Sequence, residues 1–119
     1  MVDLHSHSNA SDGSYSPSAL VALALERGLS ALALTDHDSV AGIPEAEAAA
    51  AGTSLRLIRG VEVEIAFGAG EFHLLGLRLE RLGGELEYIL SRLFAARDTR
   101  NGRILDRMRE AGFAATMDD

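Results

Sequence analysis

The sequence predicts an α/β fold, a largely parallel sheet with helices packed on it. Three observations predict it. Apolar runs that read as strands alternate with helical stretches in the order βαβαββα, joined by short connections. The first two helical stretches each stop at a glycine, Gly28 and Gly52. All four histidines stand beside carboxylates where strands should end, and ligands gather at the carboxyl ends of strands in such sheets.

Residues 2–7 read as a short strand, with Val2 and Leu4 on one face and Asp3, His5 and His7 on the other. Residues 8–16, which include Asp12-Gly13, form a loop. Ser16-Pro17 then opens a helix, serine as cap and proline at the first helical position, and this helix runs to Arg27. Residues 31–35 are a buried strand whose small Ala31, Ala33 and Thr35 share parity with His37. Residues 42–51 form the second helix. Residues 55–65 and 72–79 are further strands, and the turn signal Gly68-Ala69-Gly70 joins them as a hairpin. Over residues 85–111, Leu86, Ile89, Leu90, Leu93, Phe94, Ile104, Leu105 and Met108 recur at helical spacing. That run is long for one helix, and Gly102 is the expected break.

A chain of 119 residues is one domain at most, residues 1–119. Hydrophobic residues at 47% and a mean hydropathy of +0.08 mark it as globular rather than disordered. Without cysteine there is no disulfide framework and no thiolate to compete for a metal, and a cytoplasmic protein is the expectation. The start, Met-Val-Asp-Leu-His, is neither basic nor an apolar run, so no signal peptide is expected. No stretch approaches the roughly 18 apolar residues of a membrane span. A net charge of −7 argues against a broad nucleic-acid-coating surface, although bound metal would neutralise several of the 18 carboxylates. All eleven basic residues are arginine, and six of them (Arg92, Arg97, Arg100, Arg103, Arg107, Arg109) crowd the last quarter of the chain.

The chemistry lies in three clusters. His5-Ser6-His7 places two imidazoles on one face of a strand, about 7 Å apart along the backbone, so both can converge on one ion. Asp3 on that face would orient a ring nitrogen. Asp36-His37-Asp38 follows an apolar strand, where burying two carboxylates is costly without a cation or donors. The alternative is a solvated turn in which Asp38 caps the next helix. Glu62 and Glu64 share one strand face, with His73 across the hairpin. A carboxylate here can bridge two metals, but a symmetric turn sets His73 opposite Glu64, so spacing does not choose between the two glutamates. Imidazole and carboxylate together suit divalent zinc, manganese or iron.

On the last helix Arg97 falls inside the apolar stripe, Asn101 lies close to it and Arg100 is at its margin. An arginine there needs an anion or a carboxylate as partner. An internal salt bridge, or a stem that reaches out to the edge, is the alternative.

Together these residues resemble the PHP (polymerase and histidinol phosphatase) family of metallophosphoesterases. Val-Asp-Leu-His-Ser-His-Ser at 2–8 with Ser11-Asp12-Gly13, then Thr35-Asp36-His37-Asp38, then Gly60-Val61-Glu62 and His73-Leu74-Leu75-Gly76, are similar to its motifs in order and spacing. The resemblance implies the N-terminal portion of a distorted (β/α)7 TIM-like barrel, incomplete at its C-terminal side. It implies metal roles for His5, His7, Asp12, His37, Glu62 and His73, with Glu62 as the bridge, and two or three divalent ions. Arg97-Asp98-Thr99-Arg100 resembles the small stand-alone members, which act on 3′,5′-nucleoside bisphosphates or trim short RNA from the 5′ end. Arg97 and Arg100 would then hold a substrate phosphate, while Asp12 and His37 hold the ion nearest the substrate. The expected partner is a phosphorylated small molecule or short nucleic acid, with no membrane.

One departure matters. The family completes its site with a later histidine and an aspartate–histidine pair, whereas no histidine follows His73 and Asp118-Asp119 does not fill that role. A further segment or another chain is expected to complete the barrel, and the 119 residues alone are expected to turn over poorly. Two rival readings stand beside this one. An amidohydrolase-type barrel also begins with His-x-His, but such sites often bridge their metals through a lysine, which is absent here. A non-catalytic module that binds nucleotides or serves in assembly is the other.

Overall fold

The computed structural model describes residues 1–67, 70–114 and 116. The turn expected at Gly68-Ala69 lies outside them, as do Asp118 and Asp119. Among the described residues the elements follow the expected order: β1 (Val2–Ser6), α1 (Pro17–Glu26), β2 (Ala31–Leu34), α2 (Ile43–Ala50), β3 (Arg56–Phe67), β4 (Gly70–Leu77) and α3 (Glu85–Glu110). They fall into two compact units, Met1–Leu82 and Gly83–Asp119. No helix among the described residues is long and apolar enough to cross a membrane.

The first unit is one four-stranded sheet in the order β1-β2-β3-β4. The first three strands run parallel, and β4 returns antiparallel on β3. This is the α/β class expected from the alternation of elements. β3 changes partner along its length: Arg56 to Arg59 pair with β2, and Gly60 to Phe67 pair with β4. Gly60 sits at that change because a Cβ there would lie 2.6 Å from the Thr35 methyl and 3.0 Å from the Leu34 carbonyl oxygen. A bare glycine lets β2 and β3 close on each other at the point where the site begins.

Both short helices cover one face of this sheet. Ser16 caps α1 by accepting from the Ala19 N–H at 3.2 Å, Pro17 follows, and Gly28 ends the turn at φ 68°. Val21 and Ala24 of α1 meet Ile43, Ala46 and Ala50 of α2 over Leu32 and Leu34, forming the apolar core. Leu34, Ile43 and Val21 are each 1% exposed. Burial of this order stabilises by about 1.5–3 kcal/mol per large aliphatic side chain.

The second unit is dominated by α3, continuous over 26 residues. Gly102 does not break it, contrary to expectation. One interior glycine costs about 1 kcal/mol relative to alanine, which a long helix of good formers absorbs. Leu90 is buried on this helix, whereas Phe94, Ile104 and Met108 of the same stripe remain exposed.

Candidate metal centre

The carboxyl ends of β1 and β2 and the middle of β3 bring the expected residues together. All four histidines of the chain meet the carboxylate of Glu62. His5 Nε2 lies 2.8 Å and His7 Nε2 2.9 Å from Glu62 Oε2, with His37 Nε2 at 3.6 Å from the same oxygen. His73 Nδ1 lies 2.7 Å from the other oxygen, Oε1. The rings form a row, with centroids 5.1 Å apart for His5 and His7, 4.6 Å for His7 and His37, and 5.2 Å for His37 and His73. Asp12 joins from the loop after β1, its Oδ1 3.0 Å from His7 Nδ1 and its Oδ2 3.7 Å from His37 Nε2.

Register explains which glutamate is used. His73 does pair with Glu64, and Glu62 pairs with Leu75. Residues on one face of an antiparallel pair also reach their diagonal neighbours, so His73 leans across to Glu62. The parallel bridge between His37 and Glu62 fixes the third contact, with the Glu62 N–H donating to the Asp36 carbonyl and the Asp38 N–H to the Glu62 carbonyl.

Burial works to raise the Glu62 pKa. Hydrogen bonds from His5 and His73 and the charges of His37 and His5 outweigh it, so the carboxyl sits below its ordinary value. The Glu62 side chain is 4% exposed, so it is ionised while almost wholly removed from water. An anion in that position calls for positive charge.

Two expectations need correction. Asp3 does not orient a histidine ring. Its Oδ1 accepts from the backbone N–H of His5 at 3.1 Å. The β1–β2 pairing slips between Asp3 and Ser6, where three steps of β1 pass for two of β2, and the Asp3 carboxylate serves the backbone of that irregular stretch. Asp38 does not cap α2. The N-cap is Gly42 without a side-chain cap bond, and Asp38 takes a left-handed backbone at φ 48°, buried at the β2–β3 junction.

Sequence reasoning passed over the loop's anchor. Ser8 is fully buried, and its N–H and hydroxyl donate to Asp36 Oδ1 and Oδ2 at 2.7 and 2.8 Å. The Ser11 hydroxyl donates to Asp36 Oδ1 at 2.7 Å. The serines that precede Asp12, Ser8 and Ser11, were the available signal. Gly13 closes the loop tightly, because a Cβ there would collide with the His7 carbonyl.

The donor set can hold cations. Three trios, His5–His7–Glu62, His7–Asp12–His37 and His37–Glu62–His73, each bring one ligand atom per residue within 4.8 Å of one another. His7 Nδ1 and His37 Nδ1 are buried without a hydrogen-bond partner among the described residues, so the short His7–Asp12 approach is a convergence of ligand atoms rather than a bond between them. His7, His37 and Glu62 each serve two trios. A neutral imidazole has one lone pair, whereas a carboxylate has two oxygens, so Glu62 is the member suited to bridging. Arg97, half-buried, and Arg100, exposed, lie on α3 in the second unit. A cleft of about 280 Å³ lined by Arg56, Arg59 and Arg78 lies at the N-terminal end of β3 and contains none of these ligand atoms.

Comparison with known proteins places this geometry in context. The family model described as PHP domain matches residues 3–113. The chain is 40% identical over 116 residues to a 5′-3′ exoribonuclease of Haemophilus influenzae, covering 98% of this chain and 42% of that protein. It is 42% identical over 79 residues to a 3′,5′-nucleoside bisphosphate phosphatase of Chromobacterium violaceum, covering 66% of this chain and 28% of that protein. A Chromobacterium violaceum structure described as an amidohydrolase, with sulfate bound and no metal, superposes with a TM-score of 0.90 at 35% identity, over 98% of this chain and 41% of the other. The chain therefore spans about two-fifths of the length of the first curated relative and of the structure it matches.

Proposed function

Because this chain belongs to the PHP domain family, we propose that the protein is a metal-dependent phosphoesterase that hydrolyses phosphate esters of nucleotides or short oligonucleotides. The observation that carries this reading is the buried carboxylate of Glu62, met by four histidines divided between its two oxygens. His5, His7 and Glu62 Oε2 would hold one divalent ion, and His73 with Glu62 Oε1 a second. Asp12 and His37 would hold the ion nearest the substrate, whether that is the second ion or a third. Manganese, zinc or iron suits these donors. When bound, such ions supply Lewis acidity, lowering the pKa of water and offsetting phosphoryl charge.

The chain's own residues do the positioning. Asp12 is the most solvent-exposed ligand candidate, its side chain 67% exposed, so it faces incoming substrate most directly. Arg97 and Arg100 are assigned to a substrate phosphate, for which guanidinium has the matching fork of donors. No serine or cysteine nucleophile is required. The relatives named for RNA and for nucleoside bisphosphates support a phosphorylated nucleotide as substrate. A further segment or chain completing the barrel, and a cytoplasmic location, belong to the same proposal.

The amidohydrolase description of one matched structure favours C–N hydrolysis as a second reading. The absence of lysine and the presence of the Asp36-His37-Asp38 cluster weigh against it. The test is to count metals per chain in the purified protein and to assay phosphate release from a nucleoside bisphosphate and a model phosphodiester with manganese. Two or more metals with phosphate release support the proposal. Turnover of an amide or lactone alone would establish the second reading, and one or no metal without turnover, even with the barrel completed by its further segment or chain, would mark a non-catalytic module.

A further inference from the structure

We infer that Asp36 is a positioning residue, the hub that holds three ligand-bearing segments in register without itself binding metal. Its side chain is buried, the residue 1% exposed. Both oxygens are engaged. Oδ1 accepts from the Ser8 N–H and the Ser11 hydroxyl, each at 2.7 Å, and Oδ2 accepts from the Ser8 hydroxyl at 2.8 Å. These bonds pin the start of the loop and the residue just before Asp12, and Ser8 directly follows His7.

The backbone of the same residue reaches the other way. The Asp36 carbonyl accepts from the Glu62 N–H at 3.2 Å, and His37 is its covalent neighbour. One residue thus ties His7 and Asp12 through its side chain, Glu62 through its carbonyl, and His37 through the chain. Two further features serve the arrangement. The Ser8 hydroxyl accepts from the Ala10 N–H at 3.2 Å, and the Ser8 carbonyl accepts from the N–H groups of Ser11 and Gly13 at 3.1 and 2.9 Å. A Cβ at Gly42 would stand 3.0 Å from Asp36 Oδ2 and 3.1 Å from the Ser8 hydroxyl, so glycine there lets the start of α2 close over the hub.

Hydrogen bonds to a buried carboxylate are the stronger kind, and a carboxylate left without them bears the full cost of desolvation. The three donors therefore satisfy the Asp36 side chain, and Asp36 in turn fixes the loop before any cation arrives. A metal site whose ligands are already in place binds without first ordering a loop. This role rests on the metal-centre reading for its consequence, but not for its geometry.

The experiment compares Asp36→Ala and Asp36→Asn with the parent chain by two measurements. The first is amide hydrogen exchange of metal-free protein at Asn9, Ser11 and Gly13, with Leu32 and Leu34 of β2 as internal controls. The second is manganese affinity by competition with a chelator. The Asp36→Asn variant keeps the geometry, because the amide oxygen takes the two Oδ1 bonds and the amide NH2 donates to the Ser8 hydroxyl. Asp36→Ala is expected to speed loop exchange about tenfold with the controls unchanged, and to weaken manganese about 10–100-fold, the usual cost of removing a partner behind metal ligands. Asp36→Asn is expected to stay within about threefold of the parent on both.

Unchanged loop exchange in Asp36→Ala overturns the inference. So does an Asp36→Asn variant as damaged as Asp36→Ala, which would make the negative charge the operative feature. A parent chain that binds no manganese defeats the metal reading alone, and the exchange comparison still decides the role of Asp36. If Asp36→Ala fails to fold, Ser11→Ala removes one of the three bonds. Faster exchange at Gly13 with a folded β2 is then the supporting result, and no change the overturning one.

Discussion

The two compact units use their side chains in opposite ways. In the first, Leu34, Ile43 and Val21 are each 1% exposed, and the buried Ser8, Thr35 and Asp36 are tied into hydrogen bonds. In the second, α3 buries Leu90 while Phe94 remains 65% exposed and Ile104 48%. Helical spacing alone is therefore a weaker statement than a filled core. Periodicity identifies a helix, but the candidate chemistry of the first unit stands on distances, whereas that of Arg97 and Arg100 stands on residue type and helical position.

The largest effect should test the core against the helix stripe. Leu34→Ala is expected to cost about 3 kcal/mol through lost burial and a cavity. Phe94→Ala should cost less than about 0.5 kcal/mol. Urea denaturation of both variants checks this, and equal losses would show that the two units are stabilised alike.

Next comes Glu62→Gln, which removes the shared anion while keeping its shape. Manganese affinity should fall more than about 100-fold, beyond the loss typical of partners that stand behind the ligands. A chelator competition reads it, and retained affinity would remove Glu62 from the site. Arg97→Ala should raise KM for a nucleoside bisphosphate about tenfold, the worth of one charge-assisted bond, with Arg92→Ala unchanged as the control on the same helix. Equal behaviour of the two arginines would leave Arg97 to its alternative, an internal salt bridge or a stem that reaches out to the edge.

The smallest effect is a pH dependence. The Glu62 pKa is lowered on folding, so its contribution to the metal-free chain is fully present above the ordinary value of 4.5 and is lost as pH falls through the lower folded value. Stability of Glu62→Gln should therefore decline less steeply than that of the parent below about pH 4.5, followed by urea unfolding at successive pH values.

Much of this is legible in the sequence. Ser16-Pro17 and Gly28 bracket α1 because capping chemistry is local, and the shared face of His5 and His7 is seen in both rings reaching Glu62 Oε2. What stayed hidden depends on neighbours distant in the chain. The slip that follows Asp3 arises from pairing with β2, and the diagonal reach of His73 depends on the register of the hairpin. Asp38 has the composition of a helix cap, yet the β2–β3 junction claims its backbone. The Gly102 expectation failed differently, since a local penalty of about 1 kcal/mol was outvoted by the rest of the helix.

His73 sits on β4, the last strand of the described sheet, while every other ligand candidate belongs to β1, to β3 or to the loops after β1 and β2. A cation gripped by both groups would act as a removable staple between the edge strand β4 and the strands and loops inside it. Loading would then tighten the hairpin's breathing more than that of any helix, and chelation would let its outer edge fray first.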